Sequence, residues 1–232
     1  MGSQPYNPLD KHNLAASIAE ALLRQTPEPI DQIARFAGSG IYLIYYTGAH
    51  KSYIPLAERN RDGKFEWPVY VGKAIPSGAR KGTKLPKVPK RPSKKSKVDP
   101  LPEAALFERL KEHRDSIRFG AGLDVKEFHY RFLLCDPLWI PLGESLMIAK
   151  FAPIWNTLLE GFGNHDPGSG RYNGKIPKWD VMHPGRAWAV KCKPRPETPA
   201  MLEAEVENAL QMATVPHSPQ MLIGSVKASD VT

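Results

Sequence analysis

GSGIYLIYY at residues 38–46 and PVYVG at residues 68–72 decide how this chain is read. Gly38, Ser39 and Gly40 open a run of β-branched and aromatic residues, the composition of a strand over 41–46. Pro68 opens a second such run, a strand over 68–71 that closes on Gly72. The polar stretch 47–66 holds the turn signal Arg61-Asp62-Gly63, so the two strands are expected to pair as an antiparallel hairpin with a long connection. Both strands carry a tyrosine close to a glycine, in Gly40-Ile41-Tyr42 and in Tyr70-Val71-Gly72.

Before the hairpin, residues 1–12 read as a loose arm. Asn13 caps an amphipathic helix over 13–24, which Thr26-Pro27-Glu28-Pro29 ends, and 30–36 forms a further short helix. After the hairpin, 103–117 is a helix with Leu106, Phe107 and Leu110 on its apolar stripe, and 125–134 (VKEFHYRFLL) is a third strand. A helix over 143–151 leads into Pro153-Ile154-Trp155-Asn156. Residues 161–188 are rich in loop signals but too aromatic for a linker, 199–212 is an acidic amphipathic helix, and the last twenty residues carry no ordering pattern.

The 232 residues hold 32 Lys and Arg against 24 Asp and Glu. Ten of the basic residues fall between Lys73 and Val98, a proline-rich window without a single acid, which leaves 22 basic against 24 acidic residues elsewhere. One segment therefore carries the whole excess of +8, as expected of an extended arm that meets a polyanion. No apolar run approaches the ~20 residues that span a bilayer. The polar N-terminus lacks a signal-peptide core, so the expectation is an intracellular protein. Cys135 and Cys192 form no metal or redox motif and read as reduced structural thiols.

Cleaving a phosphodiester calls for an activated water, a cation on the phosphate, neutralisation of the leaving oxygen and rigid positioning. Arg109 and His113, four apart, project from one helix face beside the Leu106/Leu110 stripe. Glu144 opens an otherwise apolar helix. Singly, each has a plainer reading: a solvated face for the pair, a dipole partner for Glu144, a loop start for Asn156.

In order, Gly40-Ile41-Tyr42, Tyr70-Val71-Gly72, Arg109-x-x-x-His113, Glu144 and Asn156 resemble the GIY-YIG nuclease superfamily, and the basic insertion and the segment 161–188 resemble its type II restriction-endonuclease branch. The resemblance implies an α+β fold whose core, residues 38–158, is a three-stranded antiparallel sheet flanked by helices. It further implies an N-terminal arm and helix (1–37), a basic insertion (73–102) and a DNA-binding and dimerisation extension (159–232). Tyr42 would help deprotonate the attacking water, with His113 as its proton acceptor. Since free tyrosine titrates near ~10, that role needs support from the metal, from Lys73 or from Arg109. Tyr70 would hold the scissile phosphate, Arg109 would stabilise its charge, and Asn156 would be mainly structural. Glu144 would hold one Mg²⁺ per site, with Mn²⁺ able to substitute.

Two features depart from the family pattern: Tyr42 and Tyr70 lie 28 apart, and the basic insertion puts Arg80 about where an uninterrupted member carries its arginine. Arg109 is preferred because His113 follows at the right spacing. Arg80, Lys81, Lys84, Lys87, Lys90 and Arg91 of the insertion are expected to grip DNA, together with Arg171, Asn173, Lys175 and Arg186 of the extension, where Lys178 is a further candidate. The partners implied are double-stranded DNA and a second copy of the chain, since one active site cannot cut both strands in place. The helices at 13–24 and 199–212 are candidate dimer elements, with packing on their own core as the default. A bacterial cytoplasmic location and a companion DNA methyltransferase complete the picture. The alternatives are a structure-specific repair or homing-type nuclease on the same core, and a non-catalytic basic DNA-binding protein.

Overall fold

Seven consecutive residues of the first tyrosine strand are buried, so both of its faces are covered. The computed structural model describes residues 7–76, 103–168 and 172–213. Its sheet has four strands: β1 (Glu28–Pro29), β2 (Gly40–Tyr46), β3 (Tyr70–Ala74) and β4 (Phe128–Leu134), in the order β1-β4-β2-β3 with every neighbouring pair antiparallel. The antiparallel hairpin forms as expected, but its second strand runs over Tyr70–Ala74 and not 68–71. The added strand comes from the segment read only as a helix stop, where Glu28 and Pro29 pair with Tyr130 and His129. Pro29 fits there because β1 is an edge, which needs no inward N–H from every residue.

The helices are α1 (Lys11–Leu23), α2 (Ile54–Asn60), α3 (Ala105–Phe119), α4 (Ile140–Phe151), α5 (Ile154–Thr157), α6 (Lys178–Met182) and α7 (Pro199–Met212). Asp10, rather than Asn13, caps α1 by accepting from the His12 N–H at 2.8 Å. The expected helix over 30–36 is one 3-10 turn, Ile30–Gln32. The third strand starts late, at Phe128, after a 3-10 turn over Val125–Glu127. α4 starts early because Pro141 is tolerated in its first turn, and this moves Glu144 into the second turn, where the expected dipole partnership no longer holds.

α2 lies in the polar connection 47–66. Asn60 at its end ties the two hairpin strands together: its amide donates to the carbonyls of Tyr46 (3.0 Å) and Trp67 (2.8 Å) and accepts from the Trp67 N–H (2.9 Å). The long connection is thereby clamped at its base, and the register Tyr42↔Gly72 is kept.

Alternation along β2 divides the helices between the faces. Ile41 points to α1 and α4, where a Cβ on Gly143 would stand 2.7 Å from both Ile18 and Ile41. Tyr42 points the other way, to α3. On that side the core continues from Trp155 past residue 158 through Phe162, Trp179 and Met182. α7 buries Leu202, Val206 and Leu210 and, like α1, packs on its own chain. The expected N-terminal arm lies partly outside the described residues, and the basic arm from 77 onward and the C-terminal tail lie outside them. Among the described residues no helix is long and apolar enough to cross a membrane.

Candidate active site

The register of the hairpin sets Tyr42 opposite Gly72, and this glycine is what makes room for the tyrosine. A Cβ at Gly72 would collide with the Tyr42 hydroxyl and ring and would stand 2.8 Å from the Tyr70 ring. Gly40, in turn, lets β2 approach β4, since a Cβ there would strike the Leu133 carbonyl. The two tyrosine rings come within 6.2 Å of each other, and both pack on His113, at 5.5 and 5.1 Å.

His113 lies on the buried stripe of α3, one turn beyond Arg109. Its Nε2 stands 2.6 Å from the Tyr42 hydroxyl, and its ring stacks on Phe162 at 4.5 Å. Burial, with the Arg109 charge second, drives the imidazole well below its ordinary value, so it is neutral. Burial, with Tyr70 second, pushes the Tyr42 phenol well above 10, against the opposing pull of Arg109. Tyr70 is raised in the same way. The resting pair is therefore a phenol beside a neutral imidazole.

Arg109 sits beside both phenols and donates to the Gly163 carbonyl at 2.5 Å. It also hydrogen-bonds His165 and pairs with Glu112 at 3.3 Å. A cleft of about 280 Å³ opens here, with Arg109, His113, Phe162 and His165 in its lining. Arg80, its rival in sequence, lies outside the described residues, as do Lys81, Lys84, Lys87, Lys90, Arg91 and Arg171.

Glu144 comes to the same edge of the sheet from the opposite face. Lys73 is paired with Ile41 and so shares its face, and its Nζ meets the Glu144 carboxylate at 2.5 Å. The charge of Glu144 is felt by both Tyr42 and Tyr70. Asn156 faces the outer edge of β3 and treats Val71 as a neighbouring strand would, accepting its N–H and donating to its carbonyl, each at 2.8 Å. It satisfies a strand edge that, among the described residues, has no other partner in the sheet.

Tyr42, Tyr70, Arg109, His113, Lys73, Glu144 and Asn156, spread over 115 positions of sequence, thus gather around β3. The extension divides the remaining candidates. Asn173 and Lys175 are exposed, whereas Lys178 is half-buried and lies 3.7 Å from Glu205. Arg186 corrects the expectation of a groove contact. It is 5% exposed, and all five of its N–H donors are used within the chain, on Asp180 and on the carbonyls of Gly161, Phe162 and Asn164. Sequence reasoning also passed over Phe162, Gly163 and His165; the only signal for them was the glycine spacing of GFGNH. Exposed Lys191 and Lys193, close to Lys175 through the Lys175–Lys193 bridge, were likewise unmarked.

No curated protein matches the sequence. The family model of the Eco29kI GIY-YIG domain matches residues 34–210, from just before β2 to the last turns of α7. That span contains the paired tyrosine strands, Arg109, His113, Glu144 and Asn156, together with the extension that closes over them. On that match and this geometry, the chain belongs to the Eco29kI GIY-YIG family, in the restriction-endonuclease branch of the GIY-YIG nucleases.

Proposed function

We propose that this nuclease is a type II restriction endonuclease, which hydrolyses both strands of DNA at a short palindrome as a Mg²⁺-dependent homodimer. The observation that carries the chemistry is the buried 2.6 Å hydrogen bond between the Tyr42 hydroxyl and His113 Nε2, next to the cation of Arg109. A resting tyrosinate is excluded by burial. The route that suits this pair is a relay: Tyr42 passes its proton to His113 as it takes one from the attacking water. The imidazolium so formed is disfavoured by burial and by Arg109, so the proton stays on His113 only briefly. Tyr70 would hold the scissile phosphate, and Arg109 would balance the charge that develops on it.

Glu144 supplies the oxygen donor for a divalent cation. Among the described residues no group of three or more His, Cys, Asp and Glu is placed to hold a metal. The lone Glu144 carboxylate, now paired with Lys73, would suit a hard cation that keeps most of its waters. When bound there, Mg²⁺ would stabilise the negative charge of the leaving oxygen.

Asn173, Lys175, Lys191 and Lys193 are the exposed candidates for DNA contact on the extension, and the basic insertion would add salt-dependent grip. The enzyme would work in the bacterial cytoplasm beside a methyltransferase that protects the same sequence. Incubation with linear phage DNA and Mg²⁺ tests the reading. Discrete bands support it; nicking confined to branched DNA would place the chain among structure-specific nucleases. Retarded but uncut DNA would make it a binding protein only.

A further inference from the structure

Arg186 has no donor left for DNA, yet its surroundings are built with more hydrogen bonds than any other arginine among the described residues. Its Nε donates to Asp180 Oδ1 at 2.6 Å, and a second N–H donates to Oδ2, a bidentate fork that is almost completely buried. The other three N–H groups point to the backbone of one short loop: Gly161 O at 2.9 Å, Phe162 O at 2.9 Å and Asn164 O at 3.0 Å. The guanidinium also lies over the rings of Trp179 and Trp188, its carbon 4.8 Å from each ring centroid.

This loop is also where the catalytic arginine is anchored. The Gly163 carbonyl, between two carbonyls that Arg186 holds, accepts from Arg109 at 2.5 Å. His165, two residues beyond Gly163, bonds the same Arg109 guanidinium. Phe162 stacks on His113 and meets the Tyr70 ring edge-on at 4.9 Å. The approach is tight: a Cβ on Gly163 would come 2.5 Å from the Tyr70 hydroxyl and 3.2 Å from Arg109.

We infer that Arg186 is a positioning residue of the nuclease site: it folds the 161–165 loop into the shape that aims Arg109 at the two tyrosines. The inference rests on the proposed role of Arg109 in cleavage. A lysine in place of Arg186 keeps the charge but offers three donors from one point, so it cannot hold three carbonyls and a carboxylate at once. The loop is then free to shift, and a displacement of ~1 Å near the chemistry costs on the order of 100-fold in rate.

The test compares wild type with Arg186→Lys and Gly163→Ala. The first readout is the Arg109 Nε–H resonance in ¹⁵N-arginine-labelled protein, assigned by its disappearance in Arg109→Lys. The second is single-turnover cleavage, alongside affinity, on a duplex carrying a site mapped from digested phage DNA. Arg186→Lys should move or broaden the Arg109 resonance and lower the cleavage rate at least tenfold, with affinity changed less than threefold. In an Arg109→Lys background the same substitution should cost less than threefold further, because both act through one group. An unmoved resonance, or rate losses that multiply, overturns the inference. Should Arg186→Lys fail to fold, Gly163→Ala displaces the same loop without touching Arg186. It should show the same resonance change and rate loss, and wild-type behaviour would overturn the inference. The resonance needs no cleavage, so an inactive wild type refutes the nuclease reading and leaves the positioning role separately decided.

Discussion

The Tyr42 hydroxyl and His113 Nε2 face each other across 2.6 Å, both side chains almost completely buried, one residue from the central strand and the other from the helix laid over it. Tyr42→Phe keeps the ring that fills the space above Gly72 and removes only the proton path. Single-turnover cleavage is expected to fall by about 10²–10⁴-fold, the usual contribution of general acid–base catalysis, with DNA affinity unchanged within threefold in a filter-binding titration. Since His113 is held neutral well below its ordinary value of 6.5, acidification through pH 6.5 does not charge it. The rate profile should therefore show no break at 6.5.

Removing the carboxylate that serves the metal separates chemistry from binding. Glu144→Ala should abolish cleavage at any Mg²⁺ or Mn²⁺ concentration while gel-shift affinity stays nearly intact. It also frees Lys73 from its 2.5 Å partner, which favours binding to a polyanion and not its loss. A variant that still cuts would remove Glu144 from the metal site.

Gly72 is fixed by steric room. In Gly72→Ala the new methyl enters space held by the Tyr42 hydroxyl and ring, so the tyrosine must move. Overpacking of this kind costs about 1–3 kcal/mol, readable as a lower thermal midpoint. The rate should drop more than tenfold even where the protein remains folded, because Tyr42 no longer meets His113.

A second tyrosine–histidine pair sets an acid limit on stability. His183 Nδ1 lies 3.0 Å from the Ala121 carbonyl, which can only accept, so Nδ1 carries the proton and the bare Nε2 accepts from the Tyr53 hydroxyl at 2.7 Å. Burial pulls the ring from 6.5 to about 4. The unfolded chain then binds the extra proton between those values, and stability falls as pH drops from 6.5 towards 4. By linkage the loss is about 2 kcal/mol at pH 5. Denaturant melts of wild type and His183→Gln between pH 7 and 5 check this: the variant should lose less stability on acidification.

What was legible in the sequence followed from short-range geometry. Tyr42 and Tyr70 sat in short β-branched and aromatic runs beside glycines, and Arg109 and His113 sat four apart on a helix with an apolar stripe, so the helix face could be assigned. α2 was hidden because its seven residues are too few to show a period, and its place depends on Asn60 clamping Tyr46 and Trp67. β1 was hidden because two residues, one a proline, become a strand only through β4. Arg186 was misplaced because an arginine in a polar loop has the same sequence signature whether it faces solvent or a buried carboxylate. Only the fold brings Asp180 and three loop carbonyls around it.

The central claim is that the pocket around Tyr42 and His113 cuts DNA at a defined sequence. Sequencing the ends left after digestion of a phage genome of known sequence, with Mg²⁺ present, tests it most directly. The account predicts that all ends fall at fixed positions within one short palindrome. Intact DNA, or ends scattered without a shared sequence, would contradict it.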